Sequence, residues 1–320
     1  MRFGFIGDML RALLDWLYSF IPNYGIAILV FVFIIRMLLL PFDIKSRRGM
    51  KRMQDVQPKM AEIEKKYAND PERRQQKLSD LYRKEKVNPL AGCLPLLLTF
   101  PILFAMFAVM REVANEKTVA MVLEIKAQLE AGNTEYRPVF ESFLWIKNVF
   151  QPDSFMSTVV PEAGERSLAV VTAFGALTQD MIDEAKAFLM TEEYANWAAA
   201  YGNEIVYTAP VLFWKISIPK VFNGLFILPI LTAVAQFFTT KIMNAGQPQP
   251  EPKKDQPDTQ KFMKWFFPLF SLWICATSNA GFALYWVAAN FLQILQQFII
   301  NKWISFTDNR KKLNEEAGKL

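Results

Sequence analysis

Arg36 is the residue in this 320-residue chain whose setting most demands a chemical explanation, because it sits in FVFIIRMLLL with only apolar neighbours. An ionised side chain at the centre of a membrane helix costs about 2.5–3.5 kcal/mol on insertion scales, so it faces a wetted cavity or reaches the interface by snorkelling. Arg36 lies six residues before Phe42, roughly 9 Å at 1.5 Å per residue, and position alone leaves both readings open. Polar stripes on other apolar runs favour the cavity. Thr232, Gln236, Thr239 and Thr240 share one helical face, as do Trp286, Asn290, Gln293 and Gln297, while Ser271 and Ser278 are seven apart. Each stripe alone is explained by hydrogen bonding between helices. Three stripes beside an arginine predict a hydrophilic pocket within the bilayer, with Arg36 as its cation and Gln236, Thr232, Trp286, Asn290, Gln293 and Ser271 as lining residues. None of the apolar runs contains Asp or Glu, so the cation has no carboxylate partner on them. Such a charge attracts water or an acidic visitor.

Other chemistry is scarce. The chain has no histidine and two cysteines, Cys93 and Cys275, both inside apolar runs. That removes Ser-His and Cys-His hydrolysis, histidine-ligated metals and an imidazole switch, and it leaves no disulfide framework or Cys₄ metal site. The sequence therefore predicts no enzyme, no metal and no cofactor, and no G-x-x-x-x-G-K-[ST] loop for a nucleotide occurs. A channel or transporter passing a small solute is the alternative use of a polar groove. Transporters typically show paired repeats and broken helices around a midplane site, and no internal repeat is visible here.

The elements that must hold these residues follow from hydropathy and charge. Apolar residues make up 52% of the chain, too many for a disordered chain and high for a soluble enzyme. Five runs approach the roughly 20 residues that a spanning helix requires: 21–41, 90–110, 222–240, 263–278 and 281–300, the fourth being short. The segment 42–89 carries 14 Lys and Arg against 8 Asp and Glu, whereas 111–221 carries 9 against 15. Basic loops stay in the cytoplasm. The expected fold is an all-α polytopic membrane protein with the N-terminus outside, 42–89 and the linker 241–262 inside, 111–221 outside, and the tail 301–320 inside. Residues 1–20 place Ile6, Met9, Leu10, Leu13, Leu14, Leu17 and Phe20 on one face and Asp8, Arg11 and Asp15 on the other, the pattern of a helix lying in the interface. A cleaved signal peptide is the competing reading. It is disfavoured by a single early basic residue, the lack of an early continuous apolar stretch and the absence of an A-x-A site.

The segment 42–89 reads as a helical hairpin. Met53, Val56, Met60, Ile63 and Tyr67 make a 3-4 seam, and Leu78, Leu81 and Tyr82 face back. Asp70 is a natural N-cap and Pro71 a natural first helical residue. Lys51, Arg52, Lys59, Lys65, Lys66, Arg73 and Arg74 make the hairpin basic. That charge is either a solvated surface or a landing site for ribosomal RNA, anionic lipid headgroups or a targeting factor; nothing points to DNA. QPQPEPKKDQP at 247–257 reads as a mobile linker.

Several motifs in this order resemble the YidC/Oxa/Alb family of membrane protein insertases. They are IIRMLLLPF with MKRMQDVQPKMAEI, LYRKEKVNPLAGCLPLLLTFPILFAMF, FLWIKNVFQPDSF at 143–155, LPILTAVAQFF at 228–238, and FFPLF followed by GFALYWVAANFLQILQQ. The resemblance implies a bacterial inner-membrane insertase and chaperone with five spans and a cytoplasmic helical hairpin. Its groove opens to cytoplasm and lipid but is closed to the outside. Arg36 matches the family's groove arginine. Nascent membrane proteins are the implied clients, with the lipid bilayer, the ribosome, the Sec translocon and the signal-recognition-particle pathway as implied partners. Trp286 stands where relatives have an aromatic client contact, whereas Val32 replaces a hydroxyl that some relatives carry one turn before the arginine. The short tail has few basic residues, which weakens a ribosome contact through it. A block at 162–220 departs from the family pattern, including a helical-looking 178–201 (TQDMIDEAKAFLMTEEYANWAAAY). It is expected to be an extra extracytoplasmic subdomain, in the simplest case a solvated lid.

Overall fold

The amphipathic and apolar periods become helices, several of them longer than the runs that announce them. The computed structural model describes residues 4–87, 94–164, 168, 171, 176–211, 214–244 and 259–317. Cys93, the NPLAG residues before the second apolar run and the proline-rich linker at 247–257 lie outside these residues. Helix α1 is Gly4–Phe20, α2 Tyr24–Lys66, α3 Pro71–Lys84 and α4 Leu94–Glu130. In the 162–220 block α5 is Gln179–Leu189 and α6 Glu192–Ala198. Then come α7 Ile227–Asn244, α8 Thr259–Thr277 and α9 Ala280–Ala317. Among the described residues, α2 and the Ala280–Thr307 part of α9 are long and apolar enough to cross a membrane, and Ile227–Ile242 is a shorter apolar helix.

The chain divides into two compact units. The first comprises Met1–Val32, Leu103–Gln236 and Phe267–Ala288. In it α1 has three sectors. Leu10, Leu14 and Leu17 are buried; Phe5, Met9, Trp16 and Phe20 are exposed; Arg11 pairs with Asp15 and with Glu116 of α4, each at 2.7 Å. The apolar arc is thus split between a buried and an exposed side. Tyr18 stacks on Tyr24 at 4.0 Å and donates to the Glu141 carboxylate.

The FLWIKNVFQPDSF motif is a knot of buried polar groups that precedes α7. Asp153, fully buried, accepts from Trp145 Nε1 at 3.2 Å and from the backbone amides of Leu225, Phe226 and Leu228 at 2.9, 3.2 and 2.7 Å. A carboxylate here satisfies donors at a helix start that no intrahelical carbonyl can reach, and its charge suits the positive end of the helix dipole. Asn223 accepts from the Asn148 amide at 2.8 Å and donates to the carbonyls of Asn148, Gln151 and Pro152 at 2.9, 3.1 and 2.9 Å. Gly224 has no room for a Cβ, which would collide with Asp153. The knot shortens the third apolar run: residues 222–226 are held as a turn, and helix begins at Ile227. At the start of α9, Asn279 Oδ1 caps the Phe282 amide at 2.9 Å, and Gly281 donates to Val149 at 2.8 Å.

The 162–220 block differs from expectation in two ways. Its helical stretch is not one helix. Thr178 caps α5, Thr191 caps α6, and a wide π turn at Ala199–Asn203 ends the run at Gly202, whose φ of 137° favours glycine. The block also holds strands, which correct the all-α expectation: β1 (Ile205–Val211) pairs antiparallel with β2 (Trp214–Pro219), with Tyr207 opposite Ile218 and Thr208 opposite Ser217. The β-branched composition of IVYT and WKISIP is the local reason. The block is more than a solvated cover. Ile182, Phe188, Leu189, Tyr194 and Trp197 share one core with Val119, Val122, Ile125 and Leu129 of α4. The C-terminal half of α4 is therefore a packing post for the block.

The second unit comprises Phe33–Ile102, Phe237–Phe266 and Ala289–Leu320. Here α2 continues without interruption through Pro41 and Pro58 into the first arm of the hairpin. Asp70 Oδ1 accepts from the Arg73 amide at 3.0 Å and Pro71 opens α3, so the N-cap legible in sequence is the one formed. Of the seam, Val56 is buried, while Met53, Met60, Ile63, Leu78, Leu81 and Tyr82 are half-buried.

Candidate intramembrane polar site

The predicted lining residues divide between the two units, and each set is described within its own. In the second unit Arg36 is 8% exposed, although its helix holds the more apolar of the two candidate spans among the described residues. Its Nη2 donates to Gln293 Oε1 of α9 at 3.1 Å. Gln296 Nε2 donates to the Arg36 carbonyl at 3.3 Å. Buried guanidinium groups persist where their donors find acceptors, and a neutral amide supplies one without cancelling the charge. Asn290, one turn before Gln293, is buried as well. Gln296 Oε1, Gln297 Oε1 and Thr239 Oγ1 are buried with no hydrogen-bond partner. Buried polar atoms of this kind are satisfied by water or ligand when the site is occupied.

In the first unit the stripe residues do different things. Trp286 Nε1 approaches Gln236 Oε1 at 3.4 Å, and Trp286 also packs edge-on against Phe282. Thr232 donates to Leu228 O of its own helix at 2.7 Å and meets the Cys275 thiol. Ser271 donates to Pro268 O at 2.9 Å. Both hydroxyls are fully buried and are used by backbone carbonyls of their own helices. Their stripe signal therefore has a sufficient local cause.

Two residues escape sequence reasoning and lie on the Arg36 stripe. Asp43 and Arg47 follow Arg36 by seven and eleven residues on α2, which puts each within about 20° of Arg36 around the helix. Asp43 is half-buried, and Arg47 is 9% exposed with Nη2 buried and unpartnered. Just beyond the apolar run, burial pushes the Asp43 carboxyl up, and the charges of Arg36 and Arg47 oppose that shift. The carboxylate missing from the spans is thus supplied by the next two turns of the same helix. Extending the stripe past the end of the hydropathy window would have found it.

On the hairpin, Arg52, Lys59, Lys65, Lys66 and Arg73 are exposed, and Lys51 and Arg74 are half-buried. Lys59 pairs with Glu85 at 2.6 Å, holding that carboxyl below its usual range, and Arg73 sits 3.5 Å from Asp70. Exposed pairs of this kind contribute little to stability. Among the described residues no group of three or more acidic, cysteine or histidine side chains could hold a metal ion.

Comparison with known proteins agrees with the resemblance. The family described as 60Kd inner membrane protein matches residues 16–309. The chain is 28% identical over 300 residues to the membrane protein insertase YidC of Chlorobaculum parvum, covering 94% of this chain and 36% of that protein. It is 29% identical over 315 residues to the YidC insertase of Brucella suis, covering 97% and 38%. A crystal structure described as an active YidC insertase with its first transmembrane domain resolved aligns at a TM-score of 0.43 and 18% identity, over 91% of this chain and 45% of that one. A charged side chain buried in a helix apolar enough to cross a membrane marks a membrane protein. The chain belongs to the 60Kd inner membrane protein family. It spans little more than a third of the length of these curated relatives.

Proposed function

We propose that this chain is a membrane protein insertase and chaperone, non-enzymatic, acting on nascent integral membrane proteins. One observation carries the reading: a guanidinium, 8% exposed in the more apolar of the two candidate spans among the described residues, donates to a neutral amide. Family membership and the names of the relatives support it. Arg36, Gln293 and Asn290 receive a short hydrophilic segment of the client, often acidic. Gln236 and Trp286 are client contacts on their own helices, and Thr232 and Ser271, fully buried with their hydroxyls on backbone carbonyls, support those helices without touching the client. A polar site at depth lowers the desolvation cost of the segment that crosses. Partition of the adjoining apolar segment into lipid drives the process at about 25 cal/mol per Å² removed from water. No nucleotide is consumed.

The topology that goes with this function has five spans, 21–41, 90–110, 222–240, 263–278 and 281–300, with the N-terminus outside and the tail in the cytoplasm. Residues 1–20 lie in the outer interface and 111–221 form the extracytoplasmic segment. The basic hairpin at 42–89 recruits clients, the ribosome or targeting factors through Lys51, Arg52, Lys59, Lys65, Lys66, Arg73 and Arg74, alone or beside the Sec translocon. Solute transport through the same residues gains no support from the relatives.

The test is insertion of paired clients into vesicles that hold the full chain. Arg36→Ala is expected to reduce insertion of a client with an acidic translocated tail by about tenfold, the scale of one charge interaction in a partly buried site, and to affect a neutral-tail client less. Equal insertion of both clients by the variant would refute the charge role.

A further inference from the structure

Asp43 has no assigned role, and its place on α2 gives it one. On a continuous helix it stands about 10 Å along the axis from Arg36 and about 6 Å from Arg47, all three on one face. It belongs to the turns through which a segment from the cytoplasm would approach Arg36. It also bears the negative charge that a client would bring. Asp43 feels the charges of both Arg36 and Arg47, and Arg47 Nη2 is buried without a partner. Gln293, which accepts from Arg36, is uncharged. The stripe therefore reads plus, minus, plus from Arg36 to Arg47. A fixed carboxylate at that spacing lowers the positive potential at Arg36 and repels an incoming carboxylate. Two unit charges about 10 Å apart in a partly buried setting interact by the equivalent of about tenfold in an equilibrium constant.

We propose that Asp43 is a specificity-determining residue that sets how acidic a client segment the Arg36 site accepts, acting as a resident counter-anion. This rests on the insertase reading. Asp43 tempers Arg36 so that acidic segments are received and also released, and neutral segments compete with them. Removing the charge while keeping the shape biases the site toward acidic tails.

The experiment measures the ratio of acidic-tail to neutral-tail insertion, by protease protection, in vesicles that hold the full chain. The client pair carries Asp or Asn at the same tail positions. Asp43→Asn is expected to raise the ratio by about five- to tenfold at low salt, and less at physiological ionic strength, where screening shortens the reach of charge. Asp43→Glu, which keeps the charge, is expected to restore the wild-type ratio, a rescue that a packing role would not produce. An unchanged ratio in Asp43→Asn, with Arg36→Ala lowering it, overturns the role of Asp43 and leaves the insertase reading standing. Equal loss of both clients in Asp43→Asn, unrescued by Asp43→Glu, also overturns it by showing a structural residue. An unchanged ratio in Arg36→Ala removes the charge role of Arg36, and this inference with it, whereas no insertion of either client by the wild-type chain removes the insertase reading.

Discussion

At the scale of single residues, the value of a buried polar group depends on where its hydrogen bond goes. Gln293 spends its carbonyl oxygen on a guanidinium of another helix, whereas Thr232 spends its hydroxyl on its own backbone. Removing an acceptor from a buried charge leaves that charge uncompensated. Gln293→Ala is therefore expected to lower the unfolding free energy in detergent by about 1–3 kcal/mol, and Thr232→Val by less than about 1 kcal/mol. Denaturant titration of the purified variants checks the contrast, and equal losses would contradict it. Arg36 was legible because an ionised side chain in FVFIIRMLLL violates the composition around it. Gln296 was not, because it lies off the stripe that carries Gln293. Asp43 and Arg47 were hidden because a charge past the apolar run reads as a loop charge, although α2 does not stop there.

At the scale of elements, the family motifs serve mainly to fix helix ends. Asp153 ties Trp145 to the amides of Leu225, Phe226 and Leu228 at the start of α7. Asp153→Ala strands several buried donors and is expected to cost about 3–5 kcal/mol, while Asp153→Asn, which keeps the acceptor geometry but not the charge, costs less. Thermal unfolding of the two variants in mild detergent measures the order, and a neutral Asp153→Ala would show that the knot does not hold α7. Caps at Asp70 and Thr178 could be read from sequence because capping is local. The split at Thr191 could not, since helical propensity runs on through TEEYANWAAAY. Propensity does not register a threonine that turns its hydroxyl to the Tyr194 amide and the Phe188 carbonyl. The strands are not legible because two short stretches of six or seven residues beside a helical run carry too little periodicity of their own.

At the scale of the whole molecule, the extra block and α4 are stabilised by the same apolar contacts. Deleting 162–220 would uncover Val119, Val122, Ile125 and Leu129, each contributing about 1.5–3 kcal/mol when fully buried. The deletion is expected to yield aggregated or polydisperse protein in detergent, read by size-exclusion chromatography. Restoration by polar substitutions on that face of α4 would assign the defect to the exposed core. A monodisperse, fully active deletion would mean that α4 is covered in another way. The sequence could announce the block by its departure from the family motifs, but not its dependence on α4. That dependence is a long-range packing relation that no local pattern encodes.

The central claim is that a client's hydrophilic segment meets Arg36 and Gln293 within the membrane. The most direct measurement replaces Gln293 with a photo-crosslinking amino acid and maps its adducts on a client arrested during insertion. Crosslinks to the polar translocating segment, lost once insertion is complete, are predicted. Crosslinks confined to lipid, or to the client's apolar helix alone, would contradict the account.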